Sequence, residues 1–249
     1  MIVDGKKVAE EILHTLETER AAFGAVILGV VMEGGDAATE SFVKIKSRVA
    51  ARLQVEVRRY APQELTRAAA ECSGVIVQLP LQNSDQLLAA IPPEKDVDGL
   101  SLHPKVPPPI SAAIAEIFVR CGISAVGKRA VVVGAGRLVG MPAAALLRDL
   151  GADLSVVTHT HGSLDELNGA DIVVLGAGEP GLIKPEMLTQ GVVLIDAGTS
   201  EQGGKLAGDA DPRCAEVSSV FTPVPGGVGP IAVAMLFKNL FTLAKRTQE

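Results

Sequence analysis

The 249-residue chain has no tryptophan and a single tyrosine, and aromatic residues make up only 3% of it. That scarcity removes the aromatic platforms on which single-stranded nucleic acids stack. No basic run stands out, the net charge is −6 and the isoelectric point is near 5.3, which argues against a nucleic-acid partner. Cysteine is rare. Cys72, Cys121 and Cys214 are odd in number and scattered, so neither a disulfide framework nor a metal cluster is expected, and a reducing compartment suits them. His159 and His161 lie two apart with no carboxylate or thiol partner beside them, which reads as loop histidines and not as metal ligands. No apolar stretch approaches a membrane span, and Asp4-Gly5-Lys6-Lys7 stands where the apolar core of a secretory leader would lie. The expectation is a cytoplasmic protein without a metal, a membrane or a nucleic acid.

What is present is aliphatic. Hydrophobic residues reach 47% with a mean hydropathy of +0.31, mostly Ala, Val, Ile and Leu, enough to bury one large core or two small ones. The most informative stretch runs from Arg129 to Pro142. Ala130 to Val133 reads as a strand buried on both faces. Gly134, Gly136 and Gly140 follow at the spacing GxGxxxG, and Pro142 stands at a plausible first helical position before the apolar run Ala143–Leu147. Such a turn brings bare backbone close to a ligand and points a helix N-terminus at a pyrophosphate. Packing alone is the plain alternative, and the flanking strand and helix favour the dinucleotide reading.

Strands and helices alternate on both sides of this turn. A helix carrying Val8, Ile12, Leu13 and Leu16 on one face, with Asp4 as its cap, precedes a strand at Ala25–Met32. A second helix opens at Gly34-Gly35-Asp36, with Phe42, Ile45, Val49 and Leu53 as its apolar stripe. A strand at Val55 and Val57, a helix from Pro62, a strand at Gly74–Leu81 and a helix at Ser84–Ile91 complete a first parallel α/β unit. The proline cluster Pro104–Pro109 leads into a helix at Ile110–Arg120. Strands at Leu154–Val157, Asp171–Leu175 and Val192–Asp196 form a second unit with the glycine turn. Phe221–Pro230 is expected to be irregular, and a last helix runs from Ile231 to Lys245. The fold class is therefore α/β, two α/β domains around a cleft, the second a Rossmann-type doubly wound parallel sheet.

Four stretches carry candidate chemistry. At about 100° per residue, Phe42 and Lys46 share a helix face while Lys44 and Arg48 point away. Lys46 is then either a snorkelling lysine with a packed stem or a partly desolvated amine able to move a proton. Gln78 ends a buried strand, where open α/β sheets place ligands, or else it bonds nearby backbone. Asp98, in Lys95-Asp96-Val97-Asp98-Gly99, belongs to a solvated turn or accepts paired hydrogen bonds from a heterocycle. Pro225, Gly226 and Gly227 expose bare backbone suited to a flat ligand.

Together these stretches resemble one family almost end to end. GVIVQLPLQ, KDVDG, GKRAVVVGAGRLVGMP, ADIVVLGAGEPGLIK, VLIDAGT and TPVPGGVGP occur in that order, as in the bifunctional methylenetetrahydrofolate dehydrogenase/methenyltetrahydrofolate cyclohydrolase family. The resemblance implies a folate-binding catalytic domain at 1–122, completed by a C-terminal helix at 230–249, and a dinucleotide-binding domain at 123–229. It implies that methylenetetrahydrofolate gives a hydride to NADP and that water converts the methenyl product to formyltetrahydrofolate, used in purine biosynthesis. By the same resemblance Lys46 is the catalytic lysine, Gln78 its partner and Asp98 the pterin-binding carboxylate. Phe42, Pro225, Gly226 and Gly227 would contact folate; Gly134, Ala135, Gly136, Arg137, His159 and Thr199 would contact the nucleotide. Family members usually form homodimers.

The chain also departs from the family pattern. Phe42 stands where tyrosine is usual, so a hydroxyl is missing beside Lys46. Gly134-Ala135-Gly136 replaces Gly-Arg-Ser, and His159 aligns with a serine that helps hold the 2′-phosphate. Arg137 is the candidate replacement for the missing arginine, and no acid follows the strand ending at Val157, so NADP and NAD both stay open. The segment after His103-Pro104 is short, with Pro107-Pro108-Pro109-Ile110-Ser111 in place of a threonine-containing motif. Two further readings follow: a dehydrogenase with weak cyclohydrolase activity, and a folate- or nucleotide-binding protein without turnover.

Overall fold

The structure is a computed structural model that describes residues 1–34, 37–202 and 205–246. It divides into two compact α/β units. One comprises Met1–Ala9 with Ile110–Ala232, the other Glu10–Pro109 with Val233–Glu249. Residues 1–3 pair with the strand that ends at Phe221: Val3 N–H donates to Phe221 O at 2.8 Å and Phe221 N–H to Met1 O at 2.9 Å.

In chain order the elements are α1 (Gly5–Glu19), β1 (Ile27–Val31), α2 (Ala37–Arg52), β2 (Glu56–Tyr60), α3 (Leu65–Glu71), β3 (Gly74–Val77), α4 (Ser84–Ala90) and α5 (Pro109–Cys121). There follow β4 (Arg129–Val133), α6 (Gly140–Asp149), β5 (Asp153–Val157), β6 (Ile172–Leu175), β7 (Val192–Asp196), β8 (Ser200–Gln202), β9 (Lys205–Ala207), β10 (Ser218–Phe221) and α7 (Val228–Arg246).

The unit containing Lys46 has a three-stranded parallel sheet in the order β2-β1-β3. The edge strand β2 is charged, whereas β1 and β3 are short and apolar: Leu28, Val30, Val31, Val75, Ile76 and Val77 are each at most 2% exposed. Burial on both faces explains why they read as continuous apolar runs. Asp4 caps α1 as expected, its Oδ1 accepting from Lys7 N–H at 3.0 Å. The buried face of α2 differs from the expected stripe. Ile45 is exposed while Val43, Ala50 and Leu53 are buried, a rotation of about a quarter of a turn that carries Lys46 toward the core side. The expected helix opening at Gly35-Asp36 and the Phe42 side chain lie outside the described residues. Arg52 clamps α2 to α1, meeting Glu10 and Glu17 at 2.6 Å each.

The other unit holds a five-stranded parallel sheet in the order β10-β7-β6-β4-β5. The chain runs from β4 out to β5 and then returns across β4 to β6, so the direction of winding reverses between β4 and β6. Ligands of open α/β sheets bind at such a switch point. Two elements were hidden in sequence: β10, in which Phe221 was expected to be irregular, and the β8–β9 hairpin, whose strands are three residues long. α7 begins at Val228, earlier than expected, because Pro230 sits in the first turn, where no N–H is needed. Pro142 likewise lies inside the first turn of α6, not at its first position.

α7 also corrects the expectation about membrane spans. Its window Val228–Lys245 reaches a hydropathy of 1.3 over 18 residues, long and apolar enough to cross a bilayer by composition alone. Two-thirds of the window is buried in the protein; Phe237, Leu240 and Phe241 are core residues. It is a core helix.

Candidate active site

Lys46, Gln78 and Asp98 all belong to the unit formed by Glu10–Pro109 and Val233–Glu249. Gln78 follows β3 directly, its N–H donating to Val31 O at 2.9 Å, so the sheet fixes its backbone while its side chain projects past the C-terminal strand ends. The Gln78 amide makes two opposed bonds. Nε2 donates to Leu79 O at 3.0 Å, which turns Oε1 toward α2, and Oε1 accepts from Lys46 Nζ at 2.8 Å. One side chain thus bonds the neighbouring backbone and also meets the Lys46 amine.

The segment after α4 is not a solvated turn. Residues 95–97 run beside β3: Val75 N–H donates to Lys95 O at 2.7 Å and Val97 N–H to Val75 O at 3.2 Å. Val97 and Asp96 are fully buried, and Asp96 Oδ2 accepts from Ser101 N–H at 2.6 Å. Gly99 has φ +62 and a Cβ there would strike the backbone of Val106 and Pro107, so the turn that presents Asp98 depends on glycine. Asn239 of α7 secures it from behind, donating through Nδ2 to Val97 O at 3.0 Å and Pro107 O at 2.8 Å. Nothing local marks Asn239 in the sequence, because its partners lie more than 130 residues away.

Charge and burial oppose each other at this site. Burial lowers the Lys46 pKa below the ordinary lysine value, and the Asp98 charge raises it part of the way back. For Asp98, burial raises the pKa, Lys46 opposes that rise, and Asp96 adds to it. Lys46 thus has a neutral hydrogen-bond acceptor in contact and a carboxylate within electrostatic reach. That arrangement can supply a free amine, which a direct carboxylate contact would keep protonated.

The second candidate site lies wholly in the other unit. A cavity of about 380 Å³ opens at the switch point, lined by the Gly134–Gly136 turn, Val157 to His159 and the loop after β6. Gly134 has φ +96, and a Cβ there would strike the Gly176 carbonyl, so the backbone needs glycine at that position. A Cβ at Gly136 would meet nothing closer than Gly176 O at 3.9 Å. Its backbone is open to the cavity. The turn, helix N-terminus and cavity together suit a dinucleotide. His159 lines the cavity; Arg137 and Thr199 are exposed and lie outside its lining.

A buried carboxylate absent from the sequence reading organises this cavity. Asp209 is fully buried and accepts from Ala177, Gly178 and Glu179 N–H at 2.7, 3.1 and 2.8 Å. Asp196, at the end of β7, accepts from Gly198 and Ala210 N–H at 3.0 and 2.9 Å. The Pro-Gly-Gly turn packs on the start of α1, with Gly226 O accepting from Gly5 N–H at 2.9 Å. Gly226 is at φ +109. Among the described residues no group of three His, Cys, Asp or Glu is placed to hold a metal ion.

Comparison with known proteins places the chain in a family. Residues 3–98 match the family profile described as the catalytic domain of tetrahydrofolate dehydrogenase/cyclohydrolase. Residues 108–248 match that of its NAD(P)-binding domain. The "Bifunctional protein FolD" of Halothermothrix orenii is 36% identical over 96% of this chain and 95% of its own length. That of Aquifex aeolicus is 34% identical over 99% and 96%. Among solved structures, the FolD methylenetetrahydrofolate dehydrogenase/cyclohydrolase of Campylobacter jejuni superposes with a TM-score of 0.92 at 29% identity, covering 99% of both chains. The Trypanosoma brucei enzyme, complexed with NADP cofactor and inhibitor, gives 0.90 at 30% identity, covering 100% of this chain and 98% of its own. With full-length coverage, both domain profiles and the motifs in order, the chain belongs to the tetrahydrofolate dehydrogenase/cyclohydrolase family of one-carbon folate enzymes.

Proposed function

We propose that this chain oxidises 5,10-methylenetetrahydrofolate to the 5,10-methenyl form with NADP and hydrolyses that product to 10-formyltetrahydrofolate. The observation that carries the reading is the 2.8 Å bond from Lys46 Nζ to Gln78 Oε1 with Asp98 in electrostatic reach. Bound at the Gly134–Gly136 turn, the nucleotide supplies the hydride acceptor. The chain's own residues do the rest. Asp98 accepts hydrogen bonds from the donor edge of the pterin and fixes the folate. Lys46, as the free amine, takes a proton from the water that adds to the methenyl carbon and gives it to the ring nitrogen as the C–N bond breaks, while the hydroxyl proton of the adduct leaves to solvent as the formyl C=O forms. Gln78 holds the amine in place and is a neutral partner in either protonation state. Pro225, Gly226 and Gly227 offer flat backbone to the substrate, and Ala135, Arg137, His159 and Thr199 complete the nucleotide contacts.

The folate-binding domain is the 1–122 segment with the C-terminal helix, and the nucleotide-binding domain is 123–229. The protein works as a cytoplasmic homodimer. A purified sample tests the activity directly, by reduced-nucleotide formation from methylenetetrahydrofolate with NADP and NAD compared, and by loss of methenyltetrahydrofolate. Turnover in both assays is expected; ligand binding without product would leave only a binding protein. A second reading, a dehydrogenase with weak hydrolysis, is motivated by Phe42, which the backbone of α2 places one turn before Lys46. Phe42→Tyr would then raise hydrolysis selectively, and equal rates in the two proteins would remove that reading.

A further inference from the structure

The loop after β6 brings an acid to a place that sequence order conceals. In a dinucleotide fold the residue just past the second strand faces the adenosine ribose, where an acid binds a free 2′-hydroxyl and a basic group accommodates a 2′-phosphate. His159 stands there, two residues past β5, the neighbour of β4. Its Nε2 is 3.0 Å from Glu179 Oε1, with the two side chains 79% and 44% exposed. Glu179 arrives from the other side of β4, and both residues line the same cavity. Its position is set by the buried Asp209, whose carboxylate holds the N–H groups of residues 177–179.

We propose that Glu179 is a specificity-determining residue that acts against a nucleotide 2′-phosphate by competing with it for His159. The proposal rests on the dinucleotide reading of the cavity. Nε2 can offer one N–H, and the Glu179 carboxylate oxygen 3.0 Å away is placed to take it. A dianionic phosphate arriving at His159 must displace that carboxylate or sit at ion-pair range from it. A free 2′-hydroxyl is uncharged and can donate to the same carboxylate, so NAD meets no such opposition. Exposure of both side chains limits the effect through solvent and salt screening, to about five- to tenfold in the affinity ratio.

The test is calorimetric titration of NADP and NAD into the wild-type protein, Glu179→Gln and the double variant Glu179→Gln/His159→Ala, at low and high salt. Glu179→Gln is expected to tighten NADP binding about five- to tenfold without tightening NAD, with the gain shrinking at high salt. The double variant should lose the gain, because the group Glu179 competed for is gone. Equal shifts for both nucleotides, or none, would overturn the proposal. Failure of the dinucleotide reading looks different: the wild-type protein would bind neither nucleotide, and the proposal would fall with it.

Discussion

Lys46 Nζ and Gln78 Oε1 are 2.8 Å apart, and the other end of the Gln78 amide is tied to Leu79 O. An amine on a helix is thus held by an amide at a strand end, with no carboxylate of the described residues in direct contact. Lys46 owes its lowered pKa to burial, and Asp98 limits how far it falls. A lysine whose folded pKa is lowered binds fewer protons than in the unfolded chain, so its contribution to stability rises with pH up to the unfolded value.

Removing the Asp98 charge should therefore move Lys46 further in the same direction. In Asp98→Asn the Lys46 side chain should lose its proton about one pH unit lower than in the wild type, read by carbon NMR of its Cε across a pH titration. An unchanged or higher midpoint would mean that the two groups do not sense each other.

The glycine turn makes a paired prediction. Gly134→Ala combines positive φ with a clash against the Gly176 carbonyl and should cost about 2–4 kcal/mol in denaturant unfolding. Gly136→Ala finds room for its Cβ, so stability should stay within about 0.5 kcal/mol while nucleotide affinity falls. Equal destabilisation by both changes would contradict the division between a packing glycine and a ligand-facing one.

Asp196 is pushed up to about 6, chiefly by burial, against an ordinary value of 3.8. The folded state then binds more protons than the unfolded state between those values, so this group's contribution to stability falls as pH rises from 3.8 to about 6 and is level above. Relative to Asp196→Asn, the wild-type protein should lose unfolding free energy across that window. A pH-independent difference would show that the carboxyl titrates normally.

Much of this was legible from residue order, for physical reasons that differ between elements. β1, β3, β4 and β6 are apolar runs bounded by turn residues, and burial on both faces makes such strands conspicuous. Gln78 and Asp98 stood in family motifs, and Lys46 stood on the helix face it shares with Phe42. The Lys46 environment was harder to read, because Ile45 and Val43 are equally apolar and only packing decides which of them faces inward. β8 and β9 are too short to show alternation. Asp209, Glu179 and Asn239 act through partners tens of residues or more away, a relationship that no local pattern encodes.

The central claim is that Lys46 moves the proton in an otherwise intact site. Its most direct test is the rate of methenyltetrahydrofolate hydrolysis by Lys46→Met beside the wild type, in protein shown by circular dichroism and tetrahydrofolate binding to be folded and ligand-competent. A loss of about 100-fold or more in kcat is predicted, the usual scale for removing a general base. Hydrolysis at the wild-type rate would take Lys46 out of the chemistry and leave its bond to Gln78 a structural contact.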